Sequence, residues 1–270
     1  MNLRRRRLAV LLRLAIVISV LAGIVLTSLG PATMTGLLPY FTIQSNLAVG
    51  LFAGFAAWRA GQDRPEPPSA LKGAVTLYIT ITGVVYHLVL ANPASPFAMV
   101  QPDRAPGEAL GNQFLHTIVP LLAMADWAVF DRRGRLRPRY AAWWLAFPLA
   151  YLGFALVRGL IVHRYPYPFI DAGDLGYGGV GISSLFFALA FWLLGLLFVG
   201  VDRGLSRRGG PPPAAVEGDR TPPSSAPEAV PLHRTELEES AAGAAVTAAA
   251  GSARRPSGAG PVSAPGVDRR

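Results

Sequence analysis

Apolar residues gather into six long runs, at about 8–30, 38–58, 71–91, 112–130, 141–163 and 179–201, with charged and turn-forming residues between them. Each run is close to the roughly 20 residues that a helix needs to cross about 30 Å of hydrocarbon. The pattern predicts an all-α membrane protein: a basic head over residues 1–7, a bundle of six transmembrane helices over 8–201, and a tail over 202–270. The tail has no Phe, Trp or Tyr and is rich in Pro, Ala, Ser and Gly. Such a composition buries too little apolar area to offset chain entropy, so a disordered C-terminal tail is expected, with 235–251 forming at most a transient Ala-rich helix. No internal repeat of the kind found in two-fold transporters is visible.

Positive charge orients the bundle. Arg4 to Arg7, Arg59, Arg64, Lys72, Arg132, Arg133, Arg135, Arg137, Arg139, Arg203, Arg207 and Arg208 fall in the head and in alternate connections, whereas the other connections carry only Arg104 and Arg164. This positive-inside pattern predicts a multi-pass protein of the plasma membrane with both termini cytoplasmic. The first run is longer than the h-region of a cleaved signal peptide and ends in Gly30-Pro31-Ala32-Thr33 rather than a small-residue cleavage site, so it is expected to remain as a span.

Composition narrows the chemistry. The net charge is +9, but the Arg residues stand in blocks beside the spans, where topology and anionic lipid account for them without nucleic acid. The absence of Cys excludes disulfides, a thiolate nucleophile and Cys-based metal sites. Arg outnumbers Lys 24 to 1 amid abundant Ala, Gly and Pro, the bias of GC-rich codons, which suggests a bacterial source.

Polar groups interrupt the runs at one depth. Thr42, Gln44, Ser45 and Asn46 open the second run; Asn112 and His116 open the fourth; His87 is near the end of the third and Arg158 near that of the fifth; Ser183 and Ser184 begin the sixth. With alternating span directions, all lie within roughly 10 Å of one another in depth, in the outer half of the bilayer. The inner half is expected to hold only Asp126, beside the Arg-rich connection that neutralises it. Polar side chains in hydrocarbon are costly, and a layer of them either packs helices together or forms a site. Thr42, Ser45 and Asn46 share a helix face, as do Asn112 and His116, while Thr76, Thr80, Gly83 and His87 form a small, polar stripe suited to packing against a neighbouring helix.

A Thr hydroxyl becomes a nucleophile when a neutral His takes its proton, and the positive end of a helix dipole favours both the alkoxide and the neutral imidazole. Thr42 and His116 are the candidate catalytic pair. Asn46, Ser45, His87, Asn112 and Arg158 are the supporting or substrate-binding candidates, with Arg158 suited to a lipid carboxylate or phosphate. The bland readings remain open: Thr42 bonded to the carbonyl four residues back, His116 as an interhelical hydrogen bonder, Arg158 snorkelling or paired with Asp171 or Asp174. His87, His116 and His163 have no carboxylate in their layer, so no metal or other cofactor is expected. Gly176-Tyr177-Gly178-Gly179-Val180-Gly181 fits G-x-G-x-x-G, but no strand precedes it, and it reads as a Gly-rich lead into the sixth span. Tyr165 and Tyr167 just before it read as an interfacial aromatic belt.

Tyr40-Phe41-Thr42, Phe114-Leu115-His116-Thr117-Ile118-Val119-Pro120 and Tyr167-Pro168-Phe169-Ile170-Asp171 occur in an order that resembles the androgen-induced and androgen-dependent TFPI-regulating proteins, six-pass membrane threonine hydrolases, and their bacterial relatives. The resemblance covers roughly residues 8–201. It implies hydrolysis of a fatty acid ester within the membrane, with Thr42 and His116 as the matching catalytic residues. Gln44-Ser45-Asn46 departs from the more apolar animal pattern, which bears on the substrate and makes Asn46 an orienting or oxyanion-stabilising candidate. The resulting expectation is an intramembrane hydrolase of a lipid ester, with membrane lipids as partners, no nucleic acid, and its site in the extracytoplasmic leaflet. The competing classes are a non-catalytic protein that binds lipid or a partner, and a small transporter.

Overall fold

The computed structural model describes residues 2–30 and 34–208. Among them there is no strand, and six helices are long and apolar enough to cross a membrane: Leu3–Ser28, Phe41–Gly61, Ser69–Leu90, Pro106–Phe130, Pro138–Val162 and Ala172–Ser206. These are the first to sixth spans below, and they make the chain a multi-pass membrane protein. The tail expected to be disordered lies outside the described residues from 209 onward, but its first part, through Arg208, continues the sixth helix.

Local chemistry sets the ends. Asn2 caps the first helix, its side chain accepting from the Arg5 N–H at 2.9 Å. Pro106 and Pro138 start the fourth and fifth spans at a position where the missing N–H costs nothing. His163, with a left-handed φ of 53°, closes the fifth span. The sixth helix begins at Ala172, seven residues before the apolar run, and is kinked at Gly176, whose φ of +63° and extended ψ suit a residue without Cβ. The fifth span is likewise interrupted, at Trp144 and Leu145, into Pro138–Trp143 and Ala146–Val162, with the Trp144 indole donating to the Ala70 carbonyl at 3.1 Å.

The third span is the most buried of the six and the fifth the least. Around the third span two apolar cores form. One gathers Phe41, Leu77, Ile81, Tyr151, Tyr167 and Phe198; the other gathers Ile16, Val20, Ile43, Ile79, Leu115 and Val119. The outward surface is apolar too: Leu11, Ile18, Leu51, Ile161, Ile182 and Leu185 are exposed, as residues facing lipid should be.

The inner charge expected of Asp126 alone is corrected. Arg13, within the first apolar run, is fully buried, and Lys72, assigned above to a connection, is 2% exposed. Arg13 Nε lies 3.0 Å from Asp126 Oδ1, Arg13 Nη2 lies 2.7 Å from Glu66 Oε2, and Lys72 Nζ lies 2.8 Å from Asp126 Oδ2. Arg13 also donates to the Ala56 carbonyl at 3.0 Å. Two cations and two carboxylates cancel, so the charge that is costly singly in hydrocarbon becomes a clamp joining the first four spans.

Candidate active site

Three consecutive residues at the head of the second span point three ways. Phe41 enters one core, packing on Tyr151 and Phe147 with ring centroids 5.2 and 5.3 Å away. Ile43 enters the other core. Thr42, between them, is buried in the seam, where its hydroxyl meets two partners from distant segments.

The first is His116. Thr42 Oγ1 lies 3.1 Å from His116 Nε2, and His116 Nδ1 lies 3.0 Å from the carbonyl oxygen of Asn112. A carbonyl only accepts, so Nδ1 carries the hydrogen, and in the neutral ring Nε2 turns its lone pair to the Thr42 hydroxyl. This is the tautomer a general base requires. The ring is held on its face by Tyr86, stacked at a centroid distance of 4.1 Å, and the Tyr86 hydroxyl accepts from Asn112 Nδ2.

His116 reaches this position because of Pro120, four residues on. Proline has no N–H to return to the His116 carbonyl, and the chain relaxes into a wider π turn over Phe114–Ile118, with the Val119 N–H bonding the Phe114 carbonyl. Gly83 of the third span fits against the freed carbonyl: a Cβ there would stand 3.0 Å from His116 O. The expected stripe therefore does pack on the fourth span, with Thr76 and Thr80 buried. Its last member, His87, leaves the stripe through a second π turn at Tyr86–Leu90 and bonds Thr117 Oγ1 at 3.0 Å on the exposed side.

The second partner is Tyr167. Its hydroxyl accepts from the Thr42 N–H at 3.3 Å and lies 3.3 Å from Thr42 Oγ1, where its own hydrogen is the one free to be donated. The Thr42 N–H is one of the four left over at a helix start, so a phenol on loan from the connection before the sixth span completes this cap. Burial pushes the Tyr167 phenol up to about 12, which keeps it a donor.

The remaining predicted residues divide. Asn46 is fully buried beneath the pair, its Nδ2 donating to the Thr42 carbonyl at 2.8 Å and the Leu115 carbonyl at 3.2 Å. Both donor hydrogens thus bridge the second span to the fourth, so Asn46 holds the backbones of Thr42 and His116 in register and has none to offer an oxyanion; its Oδ1 has no partner among the described residues. Ser45 bonds the Thr42 carbonyl at 3.1 Å and Thr82 Oγ1 at 2.7 Å, tying in the third span. Asn112 contributes through its carbonyl to His116 and its amide to Tyr86. Arg158 is not brought to the site: its guanidinium donates to the Arg164 carbonyl at 3.0 Å. Asp171 accepts from the N–H groups of Gly173 and Asp174 and is no partner of Arg158.

Two cavities meet at Thr42 and Tyr167, which line both. One, of about 80 Å³, is apolar and runs between Phe41, Ile81, Leu149, Leu152, Phe187 and Phe191. Ser184 is on its wall, with a hydroxyl that has no hydrogen-bond partner among the described residues. The other, of about 450 Å³, is a vestibule of mixed lining in which Tyr86, Arg104, Glu108, Asn112, His116 and Arg164 stand among apolar residues such as Ile43, Met99 and Leu115. Tyr86, Arg104, Arg164 and Tyr167 were not singled out as site residues from the sequence. The signal was present in part, since Arg104 and Arg164 are the only basic residues of their connections and Tyr167 stands in one of the resembling motifs.

A hydroxyl with a lone pair aimed at its proton, a second hydroxyl beside it, and spaces on either side are the parts that nucleophilic catalysis by Thr42 would draw on. Comparison with known proteins adds no relative: no family model, curated protein or solved structure matches the chain.

Proposed function

We propose that the chain is an intramembrane threonine hydrolase of a lipid ester, the activity implied by the resemblance to the androgen-induced and androgen-dependent TFPI-regulating proteins. The observation that carries the reading is the 3.1 Å approach of Thr42 Oγ1 to a His116 Nε2 whose opposite nitrogen is tied to the Asn112 carbonyl.

In this reading His116 Nε2 takes the Thr42 proton as Oγ1 adds to the ester carbonyl. The tetrahedral oxyanion collapses, the C–O bond to the alcohol breaks, and the alcohol leaves with the proton from His116. Water, deprotonated by the same nitrogen, then adds to the acyl-Thr42 ester, and the carboxylic acid is released with Oγ1 protonated again. Tyr167 supports the step as a donor that stays protonated beside the oxygen that changes charge. The acyl chain occupies the apolar cavity, and the alcohol and the attacking water use the vestibule, where Arg104 is paired with Glu108 at 3.6 Å and Arg164 faces the polar portion of the alcohol. The Arg distribution supports an extracytoplasmic position for this layer and cytoplasmic termini.

Labelling of the detergent-purified chain with a fluorophosphonate probe tests this. Wild type and Thr42→Ser should label; Thr42→Ala and His116→Ala should not, while eluting as folded monodisperse protein. A folded wild type that takes up no probe and turns over no ester would leave a lipid-binding membrane protein in which the same hydrogen bonds serve packing alone.

A further inference from the structure

The fifth span is tied to the bundle at two points near its middle. The Trp144 indole donates to the Ala70 carbonyl at 3.1 Å, and the Tyr151 hydroxyl donates to the Pro39 carbonyl at 3.0 Å. Between these anchors, from Leu145 to Ala150, no residue is buried. Phe147 reaches inward to the rings of Phe41 and Tyr78, but Leu149 beside it is 51% exposed. Past Tyr151 the helix is seated again, through Ala155 and Gly159 one and two turns on. The apolar space at Thr42 lies behind the unseated stretch, walled there by Leu145, Pro148, Leu149 and Leu152.

Its opposite wall is the sixth span, through Ser184, Phe187, Ala188 and Phe191. Only Phe187 of these four is buried, and Leu185 and Leu189 next to them are exposed. The space therefore opens onto the apolar outer surface along a slot between the fifth and sixth spans. The enclosed part, about 80 Å³, is roughly half of a cavity that takes up benzene, too little for a long acyl chain unless the chain runs out through the slot. Leu145–Leu152 and Ser184–Phe191 fall at the middle of their spans, whereas Thr42 stands at the start of its own. The slot thus leads from one face of the hydrocarbon towards its midplane over roughly 10 Å of helix, the course of an acyl chain whose head group sits at that face.

Resting on the hydrolase reading, we propose that the slot between Leu149 of the fifth span and Ala188 of the sixth is a lateral portal through which the acyl chain of a bilayer lipid ester reaches Thr42. The ester carbonyl stops at Thr42, and the chain runs down the slot with its far end still among the surrounding lipid. A long-chain ester then need not leave the bilayer to be cleaved, and chain length beyond the slot goes unread.

The chain has no Cys, so one introduced thiol can be modified alone. Leu149→Cys and Ala188→Cys place it on either wall of the slot; Val157→Cys, exposed on the fifth span and outside the lining, is the control. Each full chain in detergent is treated with benzyl methanethiosulfonate. Turnover of p-nitrophenyl butyrate and palmitate is measured before and after, with fluorophosphonate labelling alongside. Wild type should hydrolyse palmitate. Modification at either wall should lower the palmitate-to-butyrate ratio of kcat/KM by about tenfold or more, dithiothreitol should restore it, and the control should not change. An unchanged ratio at both walls after complete modification, in protein that still hydrolyses ester, overturns the portal and leaves the hydrolase reading standing. A wild type that hydrolyses butyrate and not palmitate does the same. A wild type that neither labels nor turns over any ester overturns both. Either wall variant makes the comparison by itself if the other does not fold.

Discussion

The Tyr167 hydroxyl sits 3.3 Å from both the backbone nitrogen and the side-chain oxygen of Thr42, although 125 residues separate the two in sequence. One phenol thus caps the second span and touches the proposed nucleophile. Tyr167→Phe should retain the fold and the substrate cavities but lose the donor. The expected outcome is a fall in kcat of about ten- to a hundredfold with KM changed far less. Steady-state kinetics on a butyrate ester separates the two; an equal change in KM would make Tyr167 a packing residue only.

The same phenol titrates high. Its ordinary value of 10 is pushed up to about 12 by burial, so folding favours its protonated form. That contribution is fully present below pH 10 and is lost as pH rises through about 12. Two units correspond to roughly 2–3 kcal/mol. Thermal unfolding followed from pH 9 to 12 should show a steeper loss in wild type than in Tyr167→Phe, which keeps the other tyrosines.

Asn46 spans the two backbones that carry the pair. Asn46→Ala should destabilise the chain by about 1–3 kcal/mol, because the Thr42 and Leu115 carbonyls each lose one donor. Probe labelling per folded molecule should fall as His116 drifts from Thr42. Thermal shift and labelling on the same preparation distinguish these effects, and a labelling rate equal to wild type would remove Asn46 from any positioning role.

His87 and Arg158 share the depth of the site but turn away from it. His87→Ala and Arg158→Ala should leave the labelling rate within about twofold of wild type. A loss comparable with that of His116→Ala in either variant would contradict the geometry described here.

Much of this was legible in the chain and some was not, for physical reasons. Spans announce themselves because hydropathy is a local property, and Thr42 and His116 could be paired because alternating spans convert sequence position into depth. Depth says nothing about azimuth. His87 and Arg158 therefore stood beside His116 as supporting candidates, and only packing separates them: His87 by the π turn at Tyr86–Leu90, Arg158 by its bond to the Arg164 carbonyl. Arg13 escaped notice because one charge in a long apolar run adds little to a window average, and its partners are supplied by three other segments. Tyr167 read as an interfacial aromatic because that is where most such residues belong; its hydroxyl finds a helix start only after the fifth and sixth spans have docked.

The buried charge clamp should be the costliest place to mutate. Asp126→Asn leaves Arg13 and Lys72 short of a shared counter-charge and should lower stability by about 3–5 kcal/mol. Glu66→Gln should cost less, since Glu66 is 20% exposed where Asp126 is 7%. Melting temperatures of the two variants in one detergent give the order directly, and the reverse order would locate the main pairing of Arg13 on Glu66.

The clamp also fixes a sequence of events during synthesis. Arg13 emerges from the ribosome 113 residues ahead of Asp126. The first helix must therefore enter the bilayer carrying an uncompensated guanidinium, at a cost of about 2.5–3.5 kcal/mol that its long apolar run offsets. Glu66 follows 53 residues later and supplies the first counter-charge. Translation stalled between Lys72 and Asp126 leaves two cations, Arg13 and Lys72, against the one carboxylate of Glu66, so the fourth helix brings the charge that completes the clamp.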